Sequence, residues 1–113
     1  MRNGYRTLYK TMRNGELFCV LLAVVEEERL FVRRVDFQEW ERNRRDGTVE
    51  ITYSFDKDNT SKLSALLQAQ TTTDLFKRLK SKFGSRAVCF GFIQNMQDYC
   101  RANNITYHYS VWY

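Results

Sequence analysis

The sequence predicts an α+β domain, in which an antiparallel sheet of about five strands is covered by about three helices. Three observations lead to this prediction. Strand-like apolar patterns fill the first half of the chain, helical patterns follow them, and one further alternating segment closes the sequence. Strands followed by helices are typical of α+β proteins rather than of repeated βαβ units. A chain of 113 residues suits one folding unit, so we expect residues 1–113 to form a single domain.

The first two strands are predicted to form a hairpin whose turn is Asn14-Gly15. Asn-Gly favours a type I′ turn, because both central residues of that turn have positive φ. A two-residue turn then gives the facing pairs Arg13 with Glu16, Met12 with Leu17, Tyr9 with Val20 and Leu8 with Leu21. The tetrapeptide MRNG also opens the sequence, but no strand precedes that copy, and we interpret the repeat as a coincidence.

The next strands follow from the apolar patterns of the middle segments. Residues 17–25 are apolar on both faces, which is typical of an interior strand. Residues 29–35 predict a third strand, and residues 48–55 alternate between apolar and polar side chains. The polar segment 36–45 is expected to form a short helical turn, followed by a tight turn at Asp46-Gly47.

Residues 105–113 alternate as regularly as residues 48–55 and predict the closing strand. One face is expected to belong to the core and carries Ile105, Tyr107, Tyr109, Val111 and Tyr113. The other face shows His108 and Trp112. Because this strand follows three helices, we expect it to pair beside strands formed much earlier and so to tie the two ends of the sequence together.

Three helices are predicted between these strands. Asp58 or Asn59 is expected to cap the first, whose apolar residues are Leu63, Leu66 and Leu67. Thr71 and Asp74 have the spacing of a capping box for the second helix, which should end at Gly84. The third helix is predicted over residues 85–103, although Gly91 makes its middle less favourable. Its apolar stripe consists of Cys89, Ile93, Met96 and Cys100.

Composition predicts a soluble, cytoplasmic protein. No stretch approaches the roughly 18 consecutive apolar residues that a membrane helix needs, and no signal peptide is visible, so no membrane partner is expected. Three cysteines without a CxxC motif favour reduced thiols over a disulfide scaffold. Cys89 and Cys100 would lie about 16 Å apart along one helix, too far for a disulfide. All three thiols are expected to be buried and poorly reactive.

The sequence shows no catalytic, cofactor-binding or metal-binding constellation. His108 is the sole histidine, and the segment beginning at Asp56 lacks the glycine and glutamate of a calcium loop. Residues 89–95 share aromatic residues with the RNA-recognition-motif signature but lack its basic residue and closing aromatic, which favours a core helix. We therefore expect no enzymatic activity and no cofactor.

Two surfaces are candidate binding sites. The net charge of +5 and a run of basic residues suggest a polyanion site; the residues are Lys77, Arg78, Lys80, Lys82 and Arg86. The alternative is that these side chains simply occupy the solvated face and the C-terminal end of a helix, where cations are favourable. His108 and Trp112 suggest a protein interface, because exposed tryptophans are common interface anchors. The alternative is that Trp112 packs against Trp40 or Phe37.

These surfaces define two functional hypotheses. The first is a small, soluble, non-enzymatic binding protein that engages another macromolecule, an unidentified protein being the favoured partner. The second is a nucleic-acid-binding module that uses the basic helix around residues 77–86, with Arg42, Arg44 and Arg45 as candidate further contacts. The sequence leaves the oligomeric state open.

Overall fold

The computed structural model describes residues 5–13, 15–37, 48–86 and 88–112. Within them the chain forms five strands and three helices, which confirms the predicted α+β class. Along the chain the elements are β1 (Arg6–Arg13), β2 (Glu16–Glu26), β3 (Arg29–Phe37), β4 (Thr48–Ser54), α1 (Lys57–Leu66), α2 (Thr72–Phe83), α3 (Val88–Ala102) and β5 (His108–Trp112). None of these helices is long and apolar enough to cross a membrane.

The sheet is antiparallel throughout and has the strand order β1-β2-β3-β4-β5. β5 pairs with β4, from Glu50 opposite Trp112 to Ser54 opposite His108. The expectation that the last strand ties the two ends of the sequence together is therefore wrong, because β1 and β5 form opposite edges. The strand is also shorter than predicted, since Ile105 and Tyr107 precede it.

A polar contact after α3 explains why the chain returns to β4. Asn59 of α1 accepts a hydrogen bond from the backbone N–H of Thr106 through its side-chain oxygen (3.0 Å), and its side-chain nitrogen donates to Thr106 Oγ1 (3.2 Å). Lys62 Nζ also donates to the carbonyl of Asn104 (2.9 Å). The chain consequently leaves α3 beside α1, which packs on β3, and the nearest free sheet edge is that of β4.

The first hairpin follows the predicted register only near its turn. Arg13 lies opposite Glu16 and Met12 opposite Leu17, and Gly15 has a φ of +80°. Beyond Met12 an irregularity shifts the pairing, so that Tyr9 faces Leu21 instead of Val20. A second irregularity next to Leu8 leaves that residue out of the predicted pair with Leu21.

The predicted conformation of Asn14 lies outside the described residues, as do the opening tetrapeptide, residues 38–45 and the turn at Asp46-Gly47. Asp36 and Phe37 continue β3 rather than starting a helical turn.

The helices cover the β1–β3 side of one sheet face. α3 packs on β1 and β2, α1 packs on β3, and α2 packs on α3. Burial falls along a row of cross-strand partners: Ala23, Val32 and Tyr53 are buried, whereas Tyr109 at the end of the row is 53% exposed. The helix layer therefore stops short of the β5 edge.

The helix boundaries differ from the prediction in α1 and α3 and agree with it in α2. Asp56, not Asp58 or Asn59, caps α1, because its side chain accepts the N–H of Asn59 (2.8 Å) and its backbone is extended. Leu63 and Leu67 are buried as expected, but Leu66 is exposed. Thr71 caps α2, which confirms that prediction, and α3 begins at Val88 rather than near residue 85.

Candidate protein-binding edge

The predicted polyanion residues do not converge on one surface. Lys77, Arg78, Lys80 and Lys82 are exposed on α2, and Arg86 is exposed beyond its end. Lys80 and Lys82 lie on opposite flanks of the helix, because residues two apart point in nearly opposite directions.

Three of these cations also have close partners in the fold. The ammonium of Lys80 lies 5.5 Å from the centre of the Tyr9 ring on β1, and that of Lys82 lies 5.1 Å from the Tyr99 ring on α3. Arg78 forms a 3.4 Å ion pair with Asp74 one helical turn earlier. These contacts spread the cations away from one another.

The predicted interface residues lie on β5, at an edge of the sheet. His108 is exposed, and Trp112 is 69% exposed, the largest exposure among the large apolar side chains described. Both occupy the face opposite the helices, because Tyr109 pairs with the buried Tyr53 on the helix side and side chains alternate along a strand. Of the two alternative contacts of Trp112, that with Trp40 lies outside the described residues, and the large exposure of Trp112 does not support packing against Phe37.

Tyr109 is an exposed aromatic residue that sequence reasoning assigned to the core. Alternation correctly placed it on the helix side, but the helix layer does not reach that far across the sheet. No local sequence signal reveals this exposure, because an edge strand and an interior strand show the same alternation of apolar and polar side chains.

A chain of aromatic contacts runs from the core to Tyr109. The ring of buried Phe55 lies 5.4 Å from that of Tyr107, which lies 5.7 Å from that of Tyr53. Tyr53 in turn lies 5.5 Å from Tyr109. Burial raises the pKa of the Tyr53 phenol to about 12, so this hydroxyl is neutral at physiological pH. These contacts hold the exposed ring of Tyr109 in place.

The two edges of the sheet differ in the features that prevent unwanted strand pairing. Edge strands are commonly protected by charged side chains, proline and bulges. β1 has exposed Arg6 and Lys10 and two irregularities in its register. β5 contains no lysine, arginine, acidic residue or proline, and its five pairs with β4 run without interruption.

The β5 edge combines a regular main chain with exposed aromatic side chains. Trp112 and Tyr109 offer one aromatic group on each face, and the strand contains no lysine, arginine or acidic residue. In the part of the chain that the structure describes, no group of three or more histidine, cysteine or acidic side chains is placed to hold a metal ion. No protein-family model matches the chain, and no curated protein or solved structure shows significant similarity to it.

Proposed function

We propose that this protein is a non-enzymatic interaction domain that binds an extended segment of another polypeptide by adding it to the sheet at β5. The observation that supports this proposal most strongly is the contrast between the two edges, since β1 carries charges and bulges and β5 carries neither. A regular, unguarded edge is a template for an additional strand. We place the protein in a reducing compartment such as the cytoplasm, which suits its three free cysteines.

The side chains of β5 define the partner's chemistry. The main chain of an added strand would hydrogen-bond to the outer side of β5, and its side chains would alternate between two faces. One face offers Tyr109 and Val111, and the other offers Trp112 and His108. Aromatic and β-branched residues form favourable cross-strand pairs with such side chains. The partner we propose is therefore an extended, uncharged segment rich in aromatic or β-branched residues.

A nucleic-acid-binding role is the weaker proposal. It would use Lys77, Arg78, Lys80, Lys82 and Arg86, but Lys80 and Lys82 extend along opposite flanks of α2 and Arg78 is paired with Asp74. A duplex could contact only some of these cations at one time.

Affinity capture of binding partners from the native cell, with the wild type and two matched variants as bait, tests the proposal. Trp112→Ala removes the exposed aromatic group of β5, whereas Phe90→Ala removes an aromatic side chain of similar exposure, 67%, from α3. We expect the wild type and Phe90→Ala to retain the same protein, and Trp112→Ala to lose it while its melting temperature stays unchanged.

Hydrogen exchange then locates the contact. A peptide from the captured protein should slow amide exchange in residues 108–112 and leave β1 unaffected. Three results would contradict the proposal: protection confined to α2, retention of the partner by Trp112→Ala, and capture of nucleic acid alone. Sedimentation of the isolated protein identifies the remaining outcome, in which the occupant of the edge is a second copy of this chain.

A further inference from the structure

Two cysteines from distant parts of the sequence meet where α3 packs on the sheet. Cys19 lies in β2 opposite Thr11 of β1, and Thr11 Oγ1 lies 3.9 Å from the sulfur of Cys89. Cys89 belongs to the first turn of α3. Both thiols belong to the same core cluster, each with 4% of its residue surface exposed. The third cysteine, Cys100, lies at the far end of α3.

The surroundings of the two thiols differ in a way that suits different roles. A hydrogen bond with Cys19 lowers the pKa of Cys89, and the Thr11 hydroxyl and the charge of Arg34 act in the same direction, against the effects of burial and of the Asp36 carboxylate. The same hydrogen bond raises the pKa of Cys19, and burial and Asp36 add to that rise. The first turn of a helix also favours a thiolate. The position of Cys89 in the first turn of α3 and its contact with Thr11 make it the more suitable nucleophile of the pair, and Cys19 is the thiol that resolves the product.

Arg34 is held in place beside this pair. Its guanidinium forms a 2.8 Å ion pair with Asp36, the cross-strand partner of Cys19, and lies 5.0 Å from the ring of Phe90. Burial lowers the pKa of Arg34, but the contacts with Asp36 more than offset that effect, so the side chain stays cationic. The cation near Cys89 is therefore one member of an ion pair, and the Asp36 carboxylate offsets part of its effect on the thiol.

The two thiols are buried as expected, but against the expectation of low reactivity we infer that Cys19 and Cys89 form a redox-active dithiol that a peroxide converts into an intramolecular disulfide. The Cys89 thiolate attacks the peroxide, a sulfur–oxygen bond forms as the oxygen–oxygen bond breaks, and the departing hydroxide takes up a proton to become water. The sulfur of Cys19 then attacks the sulfenic sulfur of Cys89, its proton passes to the departing hydroxide, and a second water leaves. Two thiols and one hydrogen peroxide thus give one disulfide and two waters.

The disulfide would join the start of α3 to an interior strand of the sheet. A link between residues so far apart in sequence restricts the unfolded chain strongly, which raises stability. Oxidation would therefore make the folded protein more resistant to heat, and a reductant would reverse the change. The site is independent of the β5 edge, and its test does not depend on any partner.

The test treats the reduced full-length protein with stoichiometric hydrogen peroxide, blocks the remaining thiols in denaturant and measures mass. We expect the loss of two hydrogens, one blocked thiol at Cys100, and a proteolytic fragment that links Cys19 to Cys89. We also expect a rise of several degrees in the melting temperature, reversed by dithiothreitol.

Three serine variants supply the controls. Cys100→Ser should behave as the wild type, because burial alone raises the pKa of Cys100, to about 11, and no partner thiol faces it. Cys19→Ser should accumulate a sulfenic acid that dimedone traps, and Cys89→Ser should form no disulfide. Peptide mapping of the wild type decides the matter even if a variant fails to fold. Oxidation without a Cys19–Cys89 fragment, or a disulfide that involves Cys100, would overturn the inference.

Discussion

Thr60 is a buried polar residue whose hydroxyl joins three elements. Its oxygen accepts the backbone N–H of Leu30 at the start of β3 (2.9 Å) and donates to the carbonyl of Phe55 just after β4 (3.2 Å). Thr60 itself lies in the first turn of α1, with 7% of its surface exposed. Phe55 also donates its own N–H to Leu30 (2.8 Å), so the hydroxyl completes a small buried network.

Replacing Thr60 with valine should leave that network incomplete. The two side chains have nearly the same shape, but valine leaves the N–H of Leu30 without its partner. An unsatisfied buried group costs about 1–3 kcal/mol, and we expect the free energy of unfolding to fall by that amount. Urea titration measures the change. Thr60→Ser keeps the hydroxyl and should lose much less; equal losses in the two variants would show that the methyl group, not the hydrogen bonds, matters.

At the scale of elements, the start of α2 combines two caps. Thr71 Oγ1 accepts the N–H of Asp74 (3.0 Å), and the Asp74 carboxylate accepts the N–H of Gln70 (2.9 Å). The bond from Gln70 lowers the pKa of Asp74, and the nearby Arg78 contributes to the shift. A negative charge in the first turn also complements the helix dipole.

The lowered pKa gives α2 an acid-sensitive contribution to stability. Because the folded-state pKa lies below the unfolded value, this stabilisation is complete above about pH 4 and is lost as the pH falls through the folded-state pKa. Asp74→Asn should therefore be less stable than the wild type at pH 7, and the difference should shrink in acid.

Thr71→Ala is the control for that measurement, because it removes an uncharged cap. Its deficit, about 1 kcal/mol, should be the same at both pH values. Urea titrations at pH 7 and pH 3 measure both variants. A difference between Asp74→Asn and the wild type that stays constant across this range would contradict the assignment.

The elements also show what local sequence can and cannot predict. The turn at Gly15, the alternation of β4 and the cap at Thr71 depend on neighbouring residues, and each was predicted correctly near its signal. The pairing of β5 depends on the contact between Asn59 and Thr106, which are far apart in sequence. No local pattern carries that information.

Only part of the candidate site could be predicted, again because local patterns do not specify contacts between distant residues. His108 and Trp112 were assigned to the outer face from alternation alone, and the structure places them on the face away from the helices. The exposure of Tyr109 and the meeting of Cys19 with Cys89 depend on where α3 packs, which the helical stripe does not specify. The two irregularities of β1 shift its pairing with β2. No residue type in the β1 sequence marks where these shifts occur.

At the scale of the whole molecule, the net charge is +5, and the cations of α2 that the structure describes are spread rather than gathered on one surface. We expect weak binding of a generic DNA duplex with a shallow dependence on salt. If the cations of residues 77–86 formed one site, the slope of log K against log salt would approach about −4.5, at roughly −0.9 for each phosphate contacted.

Fluorescence anisotropy at several salt concentrations checks this expectation. Lys80→Gln and Lys82→Gln should each weaken binding slightly, and no more than Lys10→Gln on β1 does. A steep slope together with a selective loss in the α2 variants would favour the nucleic-acid role over strand addition.

The strand order has a consequence for folding rates. β1, β2 and β3 each pair with the next strand along the chain, so these contacts are local, whereas β4 pairs with β5 across three helices. Long-range pairing carries the larger entropic cost and tends to form late.

Val25→Ala, in the β2–β3 hairpin, should therefore slow refolding, while Val111→Ala should mainly accelerate unfolding. Stopped-flow measurements across a urea series separate the two rates, and slower refolding of Val111→Ala would contradict this order of events. If β5 is the last strand to pair and the first to detach, a polypeptide bound there would prolong the lifetime of the folded state without changing how quickly it is reached.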